Sequence, residues 1–289
     1  MGYRVEYSKG SFAISMNERP STSASPVYDR ALLLHGSKRD EVLTLAEIEQ
    51  YGLDSFADAD YVSIYGMPPR EWYRHRIRLL GRTAVECTRD VLGYRIGLDV
   101  ASVAARMPSN QLVVIDPFAG SCNTLFWILR QLPNSEGIAF ESDLQVFELT
   151  QRNLAALDQK IELVHGDYVR LLEERRVPED RGIVAFVAPP WGTALDEVQG
   201  LDLRRTIPPI SDVIEQIARQ FQRHVILFAT QVYEKALFRW PYRGRSGGSA
   251  ANLTIYSKTR LERRQSMALK ATKAGYAWRR TKIGKELKQ

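Results

Sequence analysis

The chain has 289 residues, of which 44% are hydrophobic and 26% charged, and its formal net charge is +6. These values are typical of globular proteins and exclude collagen, coiled coil and wholesale disorder. No apolar stretch approaches the roughly 18 residues that would suggest a membrane span. The start of the chain lacks the apolar core of a secretory signal. Only Cys87 and Cys122 are present, too few for a disulfide framework or a cysteine zinc site. We therefore expect a cytoplasmic protein with no metal and no membrane partner.

The positive charge is concentrated in the C-terminal tail. Residues 258–289 contain eleven Lys and Arg residues and two Glu residues, so this segment carries +9 and the rest of the chain −3. A basic segment on a nearly neutral body indicates a polyanionic partner, with nucleic acid as the first candidate. A solvated terminal helix rich in Lys and Arg would have the same composition.

The first third of the chain is predicted to be an irregular arm followed by helices. Residues 1–30 are rich in small polar residues and proline, which predicts a flexible arm. The sequence Thr44-Leu45-Ala46-Glu47 has the pattern of a capping box at a helix start. Apolar residues then recur at helical spacing over 70–107, just after Pro68-Pro69. We expect residues 31–109 to form a helical lid or substrate subdomain.

From residue 110 onwards, short apolar runs alternate with helical segments. This order is typical of right-handed βαβ units, so residues 110–258 are predicted to form a doubly wound α/β domain with a mainly parallel sheet. Residues 259–289 would follow as a basic helix or tail. Strands are predicted at 112–115, 138–140, 161–164, 183–187 and 225–228, and helices at 125–129, at 144–157 and from a Ser211 cap to 221.

A glycine turn follows the first predicted strand, in the sequence Asp116-Pro117-Phe118-Ala119-Gly120-Ser121-Cys122-Asn123-Thr124. Gly120 allows the backbone to turn tightly and approach a ligand, and Ser121 to Thr124 would open the next helix. Ligands bind at this edge of a doubly wound sheet, outside the carboxyl ends of its strands. An ordinary structural turn would also explain a single glycine.

Acidic residues end the next two predicted strands. Glu141 lies 21 residues after Gly120, the distance at which a carboxylate reaches both hydroxyls of a ribose, and Asp143 is expected to cap the following helix. Gly166-Asp167-Tyr168 would place a carboxylate and an aromatic ring beside an adenine-sized site. A dinucleotide-binding domain would need three glycines, and Asp116 would repel phosphates. The pattern favours a cofactor with an amino-acid end and a nucleoside end but no phosphate.

The fourth predicted strand ends in Ala188-Pro189-Pro190-Trp191-Gly192. Two prolines cannot continue the strand's hydrogen-bond ladder, so carbonyl oxygens become available to the amino group of a substrate. Trp191 offers a flat face on which a heteroaromatic ring can stack. A loop with a core tryptophan is the simpler interpretation.

With these motifs, residues 110–258 resemble the class I S-adenosylmethionine-dependent methyltransferases. Asp116 to Ser121 look like the cofactor loop of amino-methyltransferases that act on nucleic acid bases, and Pro189 to Gly192 are most similar to the trimethylguanosine synthase branch. The resemblance implies a seven-stranded Rossmann-like sheet and S-adenosylmethionine as cofactor. It implies cofactor binding by Asp116, Phe118, Ala119, Gly120, Asn123, Thr124, Glu141, Ser142, Asp167 and Tyr168, and methyl transfer beside Ala188, Pro189, Pro190 and Trp191.

Two residues depart from the family's pattern. Cys122 replaces a common glycine, which matters if this position needs a positive φ. Ala188 replaces a polar residue that usually accepts a hydrogen bond from the target nitrogen. The acceptor would then be oriented by main-chain carbonyls or by another side chain.

The leading hypothesis is N-methylation of an amino group on RNA or another nucleobase-bearing substrate. Trp191, the basic tail and the stretch Arg74–Arg82 support it, since that stretch loosely resembles a basic helical segment found ahead of the catalytic domain in the same branch. Ala188 and the nearly neutral body support a small amine or an amino-acid-derived metabolite under the helical lid. Other S-adenosylmethionine chemistry and a non-catalytic nucleic-acid-binding module are the remaining alternatives.

Overall fold

The structure, a computed structural model, describes residues 27–157, 159, 161–196, 200–233, 236–237, 254–257 and 265–271. Most of the predicted arm, residues 1–26, lies outside the described residues, as do 258–264 and 272–289 of the basic tail. The described helices are α1 Arg30–Leu34, α2 Leu45–Phe56, α3 Pro69–Arg74, α4 Gly81–Glu86, α5 Asp90–Ala104, α6 Asn123–Gln131, α7 Leu144–Ala156, α8 Tyr168–Glu173 and α9 Ile210–Gln220.

Local sequence signals set several helix starts. Thr44 and Glu47 form the predicted capping box at α2, because each side chain accepts a hydrogen bond from the other residue's backbone N–H. Asp143 caps α7 as predicted. Ser211 does not cap α9, since that helix begins at Ile210 with Pro209 in the cap position. The hydroxyl of Ser211 instead donates to Asp212.

The apolar run over 70–107 is not one helix but three. The chain leaves α3 through Arg76, whose φ of +62° is left-handed, and α4 begins after Leu80, which is extended. Cys87 and Arg89 are also extended and separate α4 from α5. A left-handed residue with a side chain cannot continue a right-handed helix, so helical spacing alone overestimated the length.

The main sheet has seven strands in the order β3-β2-β1-β4-β7-β10-β9. The first five of these are mutually parallel, and β10 runs antiparallel to both β7 and β9. This confirms the predicted doubly wound, mainly parallel fold. The described strands are β1 Leu112–Asp116, β2 Ser135–Glu141, β3 Ile161–His165, β4 Gly182–Val187, β5 Leu195–Asp196, β6 Gly200–Asp202, β7 Ile226–Tyr233, β8 Ala236–Leu237, β9 Thr254–Ser257 and β10 Gln265–Ala271.

The prediction of a helix or tail after residue 258 is wrong for residues 265–271, which form β10. Their backbone pairs with β7 over the whole length of β10, from Gln265↔Tyr233 to Ala271↔Leu227. The sheet therefore extends past the predicted domain boundary. The sequence of β10 contains only the short apolar run Met267-Ala268-Leu269, between Ser266 and Lys270.

One face of the main sheet shares a hydrophobic core with the N-terminal helices. This core joins residues of α2 to α5 to residues of β1, β2, α6 and α7, whereas the opposite face packs on α8 and α9. Gly93 and Gly97 let α5 lie directly on α6, because a Cβ at either position would come within 2.5 Å of Trp127. The N-terminal helices thus pack directly on the sheet.

None of the described helices has the length and apolar character needed to cross a membrane.

Candidate functional site

The turn after β1 is held by one side-chain and one backbone hydrogen bond and is open on one side. The Asp116 carboxylate accepts from the Phe118 N–H at 3.0 Å, and Ala119 N–H donates to the Phe140 carbonyl at 2.9 Å. Gly120 has a φ of +48°, and a Cβ added there would meet no atom within 4 Å. The glycine is therefore needed for its left-handed backbone, and it leaves an open space at the carboxyl end of β1.

Glu141, at the end of β2, is tied to this turn. One carboxylate oxygen accepts from Gly120 N–H and the other from Asp143 N–H, both at 2.9 Å. A carboxylate offers about four acceptor positions, so two remain for other donors. Ser142, the next residue, is exposed at the same edge.

The buried carboxylate of Asp116 and the partly buried carboxylate of Glu141 give the turn an acidic character. Burial raises the pKa of Asp116 to about 7, and the neighbouring charge of Glu141 adds to this rise. Burial is also the main cause of the raised pKa of Glu141. Because the ionised forms are disfavoured by poor solvation, a cationic ligand beside them would be attracted to the site and would favour ionisation.

Cys122 occupies a position that does require a positive φ, of +56°. This conformation costs a residue with a Cβ about 1 kcal/mol, so the replacement of glycine by Cys122 strains the backbone. Burial raises the pKa of the Cys122 thiol well above its usual range. The thiol is therefore neutral, and its side chain serves as buried packing rather than as a reactive group.

The side chain of Asn123 forms hydrogen bonds with the N-terminal helical segment. Its side chain is 1% exposed; Oδ1 accepts from Tyr65 N–H at 2.7 Å, and Nδ2 donates to the Thr88 carbonyl at 2.7 Å and to Asp90 at 3.1 Å. The Tyr65 hydroxyl donates to the Ser121 carbonyl. These contacts place Asn123 behind the turn, where it fixes the turn's position, and Thr124 beside it is buried too.

Tyr65, Thr88 and Asp90 also hold the turn, and the sequence did not predict this role. Each lies 33 to 58 residues from the loop residue it contacts. Asp90 also accepts from the indole N–H of Trp127 at 2.6 Å and from Gly66 N–H at 2.9 Å. No local pattern marks such residues, because their role comes only from the packing of α5 on α6.

Phe118 and Tyr168 connect the turns after β1 and β3. Their rings meet edge to face with centroids 5.2 Å apart, and Tyr168 is buried. Asp167 is exposed and caps α8 by accepting from Val169 N–H at 2.9 Å. Glu141 and Gly166 are also linked, by a backbone bond of 2.9 Å. The residues predicted to contact the ribose and the adenine therefore lie along one edge of the sheet.

The loop after β4 lies beside the same turn, because β4 pairs with β1. Ala188 and Trp191 are half-buried, Pro189 is buried and Pro190 is exposed. Trp191 packs against the core on the α8 and α9 side, and the Thr230 hydroxyl donates to the Val187 carbonyl at the end of β4. The structure thus brings the glycine turn and the Pro-Pro-Trp loop together at adjacent strand ends.

Residues 111–232 match the family model of the RNA cap guanine-N2 methyltransferases. The matched segment contains the glycine turn, both acidic strand ends and the Pro-Pro-Trp loop. These residues form a class I S-adenosylmethionine-dependent methyltransferase domain.

Three solved structures similar to this methyltransferase are distant from it in sequence. A METTL16 methyltransferase domain is 12% identical with a TM-score of 0.44, covering 65% of this chain and 70% of its own. The putative methyltransferase yhhF from Escherichia coli is 16% identical with a TM-score of 0.37, covering 62% and 87%. A putative O-methyltransferase from Klebsiella pneumoniae is 13% identical with a TM-score of 0.43, covering 71% and 87%. No curated protein sequence matches the chain.

The residues present in the methyltransferase fit its cofactor. The open space at Gly120 can receive the ligand without displacing protein atoms. Glu141 retains acceptor positions for the two ribose hydroxyls. The acidic pair of Asp116 and Glu141 complements a ligand with a sulfonium and an ammonium group. Among the described residues there is no group of three or more side chains that could hold a metal ion.

The basic stretch Arg74–Arg82 does not form one exposed surface in this methyltransferase. Arg82 is buried and makes two hydrogen bonds of 2.8 Å to Asp143, whose pKa it lowers. Arg78 donates to the Tyr73 and Ile77 carbonyls and lies over the Tyr73 ring. Arg74 and Arg76 are exposed. The prediction of a continuous RNA-binding stretch is wrong for Arg82, because a carboxylate 61 residues away pairs with it.

Proposed function

We propose that this methyltransferase N-methylates the exocyclic amino group of a guanine in an RNA-type substrate. The position of Trp191 carries the proposal: it is half-buried just after β4, next to the glycine turn that follows β1. An anchored indole can stack on a base, an interaction worth about 1–3 kcal/mol. The family description over residues 111–232 supports guanine as that base.

The chain's own task in this reaction is mainly alignment. S-adenosylmethionine, when bound, supplies a methyl group that its sulfonium has already activated. The acceptor nitrogen must be held about 3–3.5 Å from that methyl group and in line with the C–S bond. Its lone pair forms the new N–C bond, the C–S electrons go to sulfur, and the nitrogen then gives a proton to water.

Main-chain carbonyls of the Pro-Pro loop can orient the acceptor. Pro189 and Pro190 supply no N–H, so these two positions offer carbonyl acceptors and no backbone donor. An exocyclic amine has its lone pair conjugated with the ring, and hydrogen bonds to its N–H groups turn that lone pair towards the methyl group. Trp191 would fix the plane of the base while these contacts fix its rotation.

A small amine is the second candidate, and Ala188 favours it. Alanine cannot accept the hydrogen bond that the polar residue of this motif usually makes to the target nitrogen. The engagement of Arg78 and Arg82 within the protein also removes two of the cations expected to contact an RNA backbone. A neutral aliphatic amine would need less orientation, because its lone pair is not conjugated.

Transfer of a labelled methyl group from S-adenosylmethionine distinguishes the two candidates. The full chain is incubated with a 5′-capped RNA oligonucleotide, with the same oligonucleotide uncapped, or with spermidine and free amino acids. We expect label in the capped RNA, recovered after nuclease digestion as guanosine carrying one or two added methyl groups. Label confined to the amines, or absent from the capped RNA, would contradict the proposed substrate.

A further inference from the structure

A buried cation lies at the acidic end of β2. Arg82, in α4, is 8% exposed and precedes the matched family segment, which begins at residue 111. Its Nη1 and Nη2 each donate to one carboxylate oxygen of Asp143, both at 2.8 Å. A contact through two parallel hydrogen bonds fixes the plane of a carboxylate as well as its distance. Arg82 therefore holds the Asp143 side chain in one orientation.

Asp143 in turn holds the carboxylate that is predicted to bind the ribose. Its backbone N–H donates to one oxygen of Glu141 at 2.9 Å, and Gly120 N–H donates to the other at the same distance. The Asp143 oxygen that accepts from Arg82 Nη2 also accepts from two N–H groups at the start of α7. A continuous path of hydrogen bonds thus leads from Arg82 through Asp143 to Glu141.

Arg82 is itself anchored by the segment between α1 and α2. Its Nε lies 2.9 Å from Oδ1 of Asp40 in a second ion pair. Its backbone N–H donates to the Arg39 carbonyl at 3.0 Å, and the N–H of Gly81 donates to the Glu41 carbonyl at 3.1 Å. Both the backbone and the guanidinium of Arg82 are therefore held by the N-terminal segment while the guanidinium contacts Asp143.

The charge of Arg82 also favours the ionised form of both carboxylates. Its hydrogen bonds are the main cause of the lowered pKa of Asp143. Burial is the main cause of the raised pKa of Glu141; the charge of Asp143 adds to this rise and the charge of Arg82 opposes it. An ionised carboxylate is an acceptor at both oxygens, so this state suits a ligand that donates two hydroxyl groups.

We propose that Arg82 is a positioning residue of the cofactor site, which acts through Asp143 to hold Glu141 in the orientation that receives the ribose hydroxyls. Arg82 makes no contact with the cofactor in this role. The N-terminal helical segment thereby supplies a part of the cofactor site that the matched family segment lacks. The inference rests on the predicted contact between Glu141 and the ribose and is independent of the methyl acceptor.

Calorimetric titration of the full chain with two ligands tests this role. One ligand is S-adenosylhomocysteine, and the other is its 2′,3′-dideoxy analogue, which lacks both ribose hydroxyls. We expect the wild type to bind S-adenosylhomocysteine at least about 100-fold more tightly than the analogue, because two hydrogen bonds to a carboxylate are lost. In Arg82→Gln this ratio should fall below about tenfold, since Glu141 is no longer held, while the affinity for the analogue changes by less than about threefold.

Three further variants separate positioning from a general loss of structure. Arg82→Lys keeps the charge but not the two parallel hydrogen bonds, so its ratio should lie between those of the wild type and Arg82→Gln. Asp143→Asn keeps a side chain that can cap α7, and combined with Arg82→Gln it should lower the ratio no further than Arg82→Gln alone, because the two residues act through one contact. Arg181→Gln is the matched control: Arg181 pairs with Glu136 at 2.6 Å, at the opposite end of β2, and this variant should keep the wild-type ratio.

The outcomes distinguish this role from its alternatives. Equal weakening of both ligands in Arg82→Gln would leave the ratio unchanged, assign Arg82 to the fold alone and overturn the inference. Additive losses in the double variant would also overturn it, because Arg82 would then act independently of Asp143. Should Arg82→Gln not fold, a wild-type ratio in both Arg82→Lys and Asp143→Asn would overturn it instead. Equal affinity of the wild type for both ligands would overturn the ribose contact and this inference together, and the RNA substrate would still stand on the labelling experiment.

Discussion

Gly120 and Gly192 form a matched pair for testing where the cofactor binds. Their φ values are +48° and +45°, and a Cβ at either position would meet no atom within 4 Å. Gly120→Ala and Gly192→Ala should therefore cost the same backbone strain, about 1 kcal/mol of unfolding free energy each. For a protein of this size, that loss lowers the melting temperature by about 2–4 °C.

The two variants should differ in cofactor binding. The methyl group added at Gly120 would project into the open space after β1, so we expect the dissociation constant for S-adenosylmethionine to rise at least about tenfold, or about 1.4 kcal/mol. Gly192→Ala should keep the wild-type constant, because it lies beyond the Pro-Pro-Trp loop. Calorimetric titration measures both constants, and thermal unfolding checks that the strain is equal. Wild-type affinity in Gly120→Ala, or equal weakening in the two variants, would refute the assignment of the turn.

Three further changes test other parts of the site. Glu141→Ala should abolish detectable S-adenosylmethionine binding in calorimetry, since it removes the ribose acceptor and leaves two backbone N–H groups without their partner; retained affinity would contradict this role. Tyr65→Phe removes the hydrogen bond to the Ser121 carbonyl and should weaken cofactor binding. Tyr51 is another buried tyrosine of the helical segment, and Tyr51→Phe should leave cofactor affinity unchanged. Equal affinities in the two variants would contradict a role for Tyr65 in the site. Because burial raises the pKa of Asp116 from 3.8 to about 7, the folded protein holds this proton more tightly than the unfolded chain. The free energy of unfolding without cofactor should therefore fall as pH rises from about 4 to 7. Asp116→Asn should flatten this dependence in urea titrations, and an unchanged pH slope would contradict the assignment.

The central strands and the main site motifs were predictable because their signals are local. β1 and β4 are buried throughout, and burial on both faces requires the continuous apolar runs seen in the sequence. Gly120 and Glu141 follow such runs directly, so their meeting at one sheet edge follows from parallel topology alone. The Asp143 cap is equally local, since a carboxylate at that position bonds N–H groups two and three residues later.

Contacts between distant segments explain what the sequence could not predict. The local sequence predicts that Asn123 binds the cofactor, but its side-chain amide forms hydrogen bonds with Tyr65 and Thr88, 58 and 35 residues away. The local sequence places Arg82 in a basic surface, but in the structure Arg82 forms an ion pair with Asp143. The left-handed conformation of Arg76 divides a continuous helical pattern. In each case, tertiary packing decides between conformations or partners that the local sequence permits equally.

The location of the cofactor is tested most directly by a crystal structure of the full chain with S-adenosylhomocysteine. We expect the ribose hydroxyls to lie within hydrogen-bond distance of the Glu141 carboxylate, the amino-acid end against Gly120, and the sulfur facing the loop of Ala188 to Trp191. A product molecule bound elsewhere, or a ribose without contact to Glu141, would contradict this location.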